Sequence, residues 1–235
     1  MAFTNLAALE QSLGISFNDI SLLEQALVHS SYINENPGLI STSNERLEFL
    51  GDAVLGLIIA EKLYQDNPGF SEGEMTRFRA ALVRRDTLAR VAKTIKLGDY
   101  LYLGKGEEAS GGRHKPANLA AALEAVIAAL YLDQGLSRTT GVVLRLFGAE
   151  TEKLLKRGRE MDYKSELQEL TQSREQKSPT YQVIETRGPD HDKSFVVEVR
   201  LAGTVLGRGS GKSKKEAETE AARSALEQFK NGFTQ

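Results

Sequence analysis

The stretch SNERLEFLGDAVLGLIIA, residues 43–60, decides how the first half of the chain is read. Its apolar residues recur at three-to-four spacing, which predicts an α-helix, yet it also carries Glu45, Glu48 and Asp52. That spacing puts the three carboxylates on one helix face, with Phe49, Val54, Leu57 and Ile58 covering much of the remaining circumference. On a solvated surface their repulsion costs roughly a few tenths of a kcal/mol per pair, so a plain acidic stripe is one reading. Thr42 to Glu45 also fit a capping box with Thr42 as N-cap, which would give Glu45 a structural role. Gly51 points elsewhere. A glycine inside a helix costs up to about 1 kcal/mol relative to alanine, so a close neighbour is expected to need the missing side chain.

Outward from this stretch, residues 5–155 read as helices punctuated by glycine and proline, among them NDISLLEQALVHSSYI, EGEMTRFRAALVRRDTLARVAKTI and PANLAAALEAVIAALYLDQG. In the last of these, Glu124 is the sole charge between Lys115 and Asp133. A lone carboxylate in so apolar a helix needs a salt bridge, a proton of its own, or a cation shared with other acids. If it meets Glu48 and Asp52, a cation makes the cluster stable, and all-oxygen ligands suit Mg²⁺ or Mn²⁺.

The charged run EKLLKRGREMD reads as a helix end passing into a linker. Beyond it, DYKSELQELTQS is an amphipathic helix, TYQVIETRG, SFVVEVRLAG and TVLGRGSG alternate like short strands, and SKKEAETEAARSALEQF is an alanine-rich helix. The tail is therefore a separate α-β-β-β-α domain. From Arg159 onward it carries 13 basic and 13 acidic side chains, so bulk charge says nothing about partners. Distribution says more: residues 201–215 hold Arg208, Lys212, Lys214 and Lys215 and no acid. Ser213 as N-cap and Glu216 three positions later fit a capping box. Lysines in the first turn oppose the helix dipole, so an anion such as phosphate is expected there.

The net charge of -2 suggests no nucleic-acid partner by itself, and the lack of cysteine excludes disulfides, cysteine-bound zinc and thiol nucleophiles. The first residues show no signal peptide, and no run approaches the ~18 apolar residues of a membrane span. A cytoplasmic protein without a membrane anchor is expected. LGKGEEASGGRHKP lacks the preceding strand and the Lys-Ser/Thr ending of a nucleotide loop, so no nucleotide cofactor is expected. His29 is expected to make local hydrogen bonds at a helix end, and His114 lies in a loop; neither reads as a proton carrier.

NERLEFLGDAVLGL, SEGEMTRFRAALVRRDTLARVA, LGKGEEASGGR and LEAVIAALYLD together resemble the ribonuclease III family, and the tail resembles a double-stranded RNA-binding domain. The resemblance implies a mainly α fold: an all-helical endonuclease domain at 3–155, a linker at 156–161 and a small α+β RNA-binding domain at 162–231. It implies an Mg²⁺-dependent endoribonuclease, with Mn²⁺ as substitute, that acts as a homodimer through the nuclease domain. Double-stranded RNA would be cut to 5′-phosphate and 3′-hydroxyl ends with short 3′ overhangs, in the processing of ribosomal, messenger and transfer RNA precursors. By position, Glu48, Asp52 and Glu124 match the metal ligands, Asp52 and Glu124 the catalytic pair, and Glu45 and Glu72 accessory acids of the cleavage valley. Lys105, Arg113, His114 and Lys115 are expected near the RNA backbone. In the tail, Ser165, Gln168, Glu169 and Gln172 would meet one minor groove, Pro189 and His191 the next, and Lys212, Lys214 and Lys215 the phosphates between.

One position departs from the family pattern. Where the family usually carries an aspartate three residues before the second-helix glutamate, this chain has Ala121. The site loses a negative charge and an oxygen ligand, which a water or Asn118 would have to replace. Retained cleavage with a higher metal requirement is expected. The alternative is a dimeric regulator that binds double-stranded RNA and cleaves it weakly, and a third reading makes the acids structural ion pairs in a scaffold.

Overall fold

Apolar periodicity at helical spacing organises the first half of the chain and gives way to alternation in the tail, as the sequence predicts. The computed structural model describes residues 6–38, 42–189 and 193–231, and the chain divides into two units, Met1–Leu154 and Leu155–Gln235. The first unit holds α1 (Ala7–Leu13), α2 (Ile20–Ala26), α3 (Ser30–Glu35), α4 (Glu45–Asp66), α5 (Glu72–Val83), α6 (Arg85–Thr94), α7 (Lys105–Ala109) and the first part of α8 (Pro116–Glu175). Leu55, Ile58, Ile59 and Leu63 of α4 share one core with Leu123, Val126, Ile127 and Leu130 of α8, each at most 2% exposed. Burying such side chains contributes about 1.5–3 kcal/mol apiece.

Gly51 sits where these two helices touch. A Cβ built on it would lie 1.8 Å from the carbonyl oxygen of Glu124 and 2.4 Å from its carbonyl carbon. The backbones of α4 and α8 therefore meet at the level of their acidic residues, and only glycine leaves room.

Two local expectations are corrected. α4 begins at Glu45 with Asn44 as N-cap, not at a Thr42 box: the buried Asn44 amide donates instead to the Ala26 carbonyl at 3.2 Å, and the Ser43 hydroxyl donates to the Glu45 carboxylate at 2.7 Å. The run EGEMTRFRAALVRRDTLARVAKTI is two helices, because Arg84 is extended (φ -68°, ψ 149°). Residues 156–161, expected as a linker, carry helical backbone, as KRGREM contains one glycine among helix-favouring residues. The segment Pro116–Lys156 is, by length and composition, apolar enough to cross a membrane, although most of its apolar window is buried as a core helix would be. Its alanines and leucines reach that level despite Asn118 and Glu124.

α8 is interrupted at Gly135, whose φ of 76° and ψ of 177° only glycine adopts readily. Just before it, the Asp133 carboxylate accepts the backbone N–H groups of Asn18 and Asp19 at 2.8 Å each.

The second unit combines the last part of α8 with β1 (Thr180–Arg187), β2 (Ser194–Leu201), β3 (Thr204–Gly211) and α9 (Lys214–Asn231). The strands form an antiparallel sheet in the order β1-β2-β3. Val197 and Val199 join Leu167 and the stripe Ala217, Ala221, Ala225 in its core. Gly207, Gly209 and Gly211 alternate along β3, and a Cβ on each would strike α9 backbone: Ala221 O at 2.6 Å, Ala221 N at 2.2 Å and Ala217 N at 2.7 Å. Glu198 is only 2% exposed and is held between Arg200 and Arg208 at 2.6 Å each. Hydrogen bonding from Arg200, then Arg208, keeps its carboxyl below the ordinary range.

Candidate active site

The acidic face of α4 and the glutamate of α8 open on one cavity of about 330 Å³, lined by Glu45, Glu48, Ala121 and Glu124. Burial first, then the charges of Asp52 and Glu48, raise the Glu124 carboxyl to about 7. Glu48 is also raised, first by burial and then by Glu45, with His29 acting against them. Among the described residues no hydrogen bond or ion pair ties down Glu48, Asp52 or Glu124, which removes the salt-bridge reading of Glu124. The donors are all carboxylate oxygens, and among the described residues no hydrogen bond or ion pair relieves their mutual repulsion. That donor chemistry fits a hard divalent ion. Among the described residues, however, no three His, Asp or Glu side chains are already close enough to ring one.

Asp52 is exposed and acts on Glu124 through its charge. Glu72 opens α5, accepts the Thr76 hydroxyl at 3.0 Å and does not line the cavity. Asn118 lines it, but its amide is occupied: Nδ2 donates to Glu107 at 2.8 Å and to the Gly112 carbonyl at 3.0 Å. These bonds commit the amide nitrogen and orient the group, while its oxygen, the atom that could serve as a ligand, accepts no hydrogen bond among the described residues. Arg113 donates to Glu108 and to the Gly98 and Leu101 carbonyls, and Lys115 to Glu107 and Ser110, so these two bases brace their own loop.

His29 also lines the cavity, and its tautomer follows from its neighbours. It is the N-cap of α3, with Nδ1 accepting the Ser31 N–H at 3.2 Å and lying 2.8 Å from the Ser31 hydroxyl. That hydroxyl oxygen accepts the Gly104 N–H at 2.9 Å, and with Nδ1 accepting the Ser31 N–H the hydroxyl proton points to Nδ1 as well. The neutral ring then carries its hydrogen on Nε2. In that tautomer Nδ1 is committed to Ser31 and Nε2–H is a hydrogen-bond donor.

Two features escape the sequence reading. Arg85, the first residue of α6, lines the same cavity. The Arg84-Arg85 doublet was the signal, hidden by periodicity that runs across the break. The second concerns Phe49 and Leu57, which the apolar pattern of α4 assigns to cover but which are 82% and 54% exposed. Phe49 adjoins a groove of about 700 Å³ lined by Leu22, Leu47, Leu50 and Leu132. No described residue of the first unit covers that face.

In the tail, Ser165, Gln168, Glu169 and Gln172 share one side of α8 and line a shallow depression of about 510 Å³. Ser213 accepts the Glu216 N–H at 3.1 Å, while the Glu216 carboxylate reaches back to the Lys212 N–H at 2.9 Å. Half of the expected box forms, with its return bond one residue earlier, and Lys214 and Lys215 stand in the first turn of α9. Pro189 is exposed; His191 lies outside the described residues.

Residues 19–150 match the ribonuclease-III-like family model, and residues 163–229 match the double-stranded RNA binding motif. The chain is 57% identical over 230 residues to Ribonuclease 3 of Dehalococcoides mccartyi, covering 98% of this chain and 97% of that one. It is 49% identical to Ribonuclease 3 of Syntrophobacter fumaroxidans, covering 94% and 93%. Among solved structures, the nuclease domain of ribonuclease III from Campylobacter jejuni superimposes with a TM-score of 0.58 at 41% identity, covering 63% of this chain and 96% of that domain. A second structure of that nuclease domain, TM-score 0.57 at 42% identity over 60% of this chain and 95% of that one, is described for flexibility in its dimer-forming region.

Proposed function

The chain belongs to the ribonuclease III family and is an endoribonuclease with a double-stranded RNA-binding domain, and from that premise we propose that it is Mg²⁺-dependent and cuts duplex RNA to 5′-phosphate and 3′-hydroxyl ends with short 3′ overhangs. The single observation that carries the metal site is Glu124. Its carboxyl is raised to about 7 by burial and by the charges of Asp52 and Glu48, and no hydrogen bond or ion pair among the described residues relieves it. Glu48, Asp52 and Glu124 would hold the ion, with water and a phosphate oxygen completing it where Ala121 supplies nothing. When bound, Mg²⁺ supplies a water acidic enough to attack phosphorus and offsets charge on the leaving oxygen. No side-chain nucleophile is required. Glu124 would hold the ion as a carboxylate, its proton passing to solvent, Glu45 would add to the negative field, and His29, which lines the same cavity, would offer a hydrogen-bond donor. Mn²⁺ has the ligand preference to substitute.

The exposed Phe49 and the groove beside it support a homodimer in which equivalent surfaces meet about a two-fold axis. Two sites related this way suit the two antiparallel strands of a duplex. The tail residues Ser165, Gln168, Glu169 and Gln172 suit minor-groove hydroxyls, and Lys212, Lys214 and Lys215 suit phosphates. Its cytoplasmic substrates would be precursors of ribosomal, messenger and transfer RNA.

The rival reading, a regulator that binds duplex RNA and cleaves weakly, rests on Ala121 alone. One assay separates them: long duplex RNA incubated with the full chain, with and without Mg²⁺, beside Glu124→Gln and Ala121→Asp. Cleavage by the natural chain that needs Mg²⁺ and is lost in Glu124→Gln supports the enzyme as described. Cleavage that appears only in Ala121→Asp would favour the regulator.

A further inference from the structure

The cavity that holds Glu45, Glu48 and Glu124 is also lined by Arg85, a cation that the steps above leave without a task. We propose that Arg85 binds a backbone phosphate of duplex RNA in this cavity and so offsets an acidic lining that would otherwise repel the substrate. The inference rests on the endoribonuclease reading of the same site.

Its geometry begins with the break at Arg84, whose extended backbone separates α5 from α6 and makes Arg85 the first residue of the new helix. That start is braced from within. Thr87, fully buried, donates its hydroxyl to the Ala81 carbonyl of α5 at 2.8 Å and accepts Arg90 Nη2 at 3.0 Å. Arg90 in turn grips Glu150 of α8 with two bonds, Nε at 3.1 Å and Nη2 at 2.5 Å. Arg85 thus projects from a turn fixed to both neighbouring helices, so its reach into the cavity does not depend on a mobile loop.

Its charge is also uncommitted. Arg90 is engaged by Glu150, and Arg113 by Glu108 and loop carbonyls. Arg85 is exposed and has no hydrogen bond or ion pair among the described residues, although three glutamates line the same cavity. Ala117, Ala120 and Ala121 keep the α8 side of the cavity low, which leaves space for a ligand. A guanidinium offers a planar fork of donors that matches two phosphate oxygens. In a cavity short of one carboxylate and open to solvent, that fork serves the substrate rather than the protein's own acids.

The test uses the full chain and a duplex of about 30 base pairs, longer than the ~16 base pairs one double-stranded RNA-binding domain spans. Binding is measured with divalent ions chelated, across a series of salt concentrations, for the natural chain, Arg85→Ala and Arg85→Lys. Loss of one phosphate contact is expected to reduce the slope of log affinity against log salt by about one and to weaken low-salt binding about tenfold in Arg85→Ala. Arg85→Lys should recover the slope while keeping part of the affinity loss, because a point charge replaces the fork. In Mg²⁺, Arg85→Ala should raise KM by a similar factor while kcat stays within about twofold. An unchanged slope and KM in Arg85→Ala overturns the proposal, as does a fall confined to kcat. Melting temperatures check that each variant folds. Metal-free binding is read apart from cleavage, so a natural chain that binds but does not cut sinks the enzyme reading and still judges Arg85.

Discussion

The Gly51 Cα of α4 stands against the Glu124 peptide group of α8, with a hypothetical Cβ only 1.8 Å from the Glu124 oxygen. Gly→Ala inside a helix ordinarily stabilises by up to about 1 kcal/mol. Here the sign reverses: Gly51→Ala must push the two helices apart, at an expected cost of about 1–3 kcal/mol or more in chemical denaturation. Because the displaced peptide belongs to Glu124, cleavage should fall more than stability alone explains, measured well below the melting temperature.

Glu124 also predicts how stability depends on pH. Its carboxyl titrates near 7 in the folded chain against an ordinary 4.5, so the folded state binds the proton more tightly than the unfolded chain. The associated stability is fully present below pH 4.5 and is lost as pH rises through 7. Glu48 contributes with the same sign. In metal-free buffer the melting temperature should therefore decline across this window. Glu124→Gln should flatten the decline and melt higher than the natural chain at pH 8, while losing cleavage.

Ala121→Asp restores a carboxylate one turn before Glu124. The Mg²⁺ concentration giving half-maximal cleavage should drop by roughly an order of magnitude, since ligand charge tunes affinity for a hard ion. Without metal the same variant should melt lower than the natural chain, because one more acid joins an unrelieved cluster. An unchanged metal requirement without that destabilisation would place the new carboxylate outside the site.

Phe49→Asp tests the uncovered groove. Phe49 is 82% exposed in the single chain, so the change should leave the helical circular dichroism intact. Sedimentation should show monomer in place of dimer, with binding of duplex RNA through the tail largely kept. A dimer that persists would exclude this face as the contact.

The tautomer of His29 is directly visible to ¹⁵N NMR. The natural chain should show the hydrogen on Nε2, and Ser31→Ala, which removes the hydroxyl donor to Nδ1, should mix the two tautomers.

Much of the site could be read from the chain itself because it follows helical geometry. The face of Glu45, Glu48 and Asp52, the isolation of Glu124 and the oddity of Gly51 are all properties of spacing and composition. What escaped depends on tertiary context. An apolar pattern marks Phe49 and Leu57 as surfaces to be covered without saying whether the same chain covers them. Periodicity ran unbroken through Arg84, because an extended residue between two helices in register leaves no compositional mark, and so Arg85 went unnoticed. The start of α4 was misplaced because the Asn44 amide answers a carbonyl of α2, which no local motif encodes.

The alternating glycines of β3 carry a consequence for how this protein can change. Gly207, Gly209 and Gly211 hold α9 so near the strand that even one methyl group at any of them meets helix backbone. The lysines that α9 presents stand in solvent and can be exchanged one at a time, whereas the smallest residues beneath them can hardly vary. A library of random tail variants selected for RNA affinity would therefore diversify freely along the basic turn and return these glycines unaltered. The route to a new specificity is set by which positions have room to mutate as much as by which ones touch the ligand.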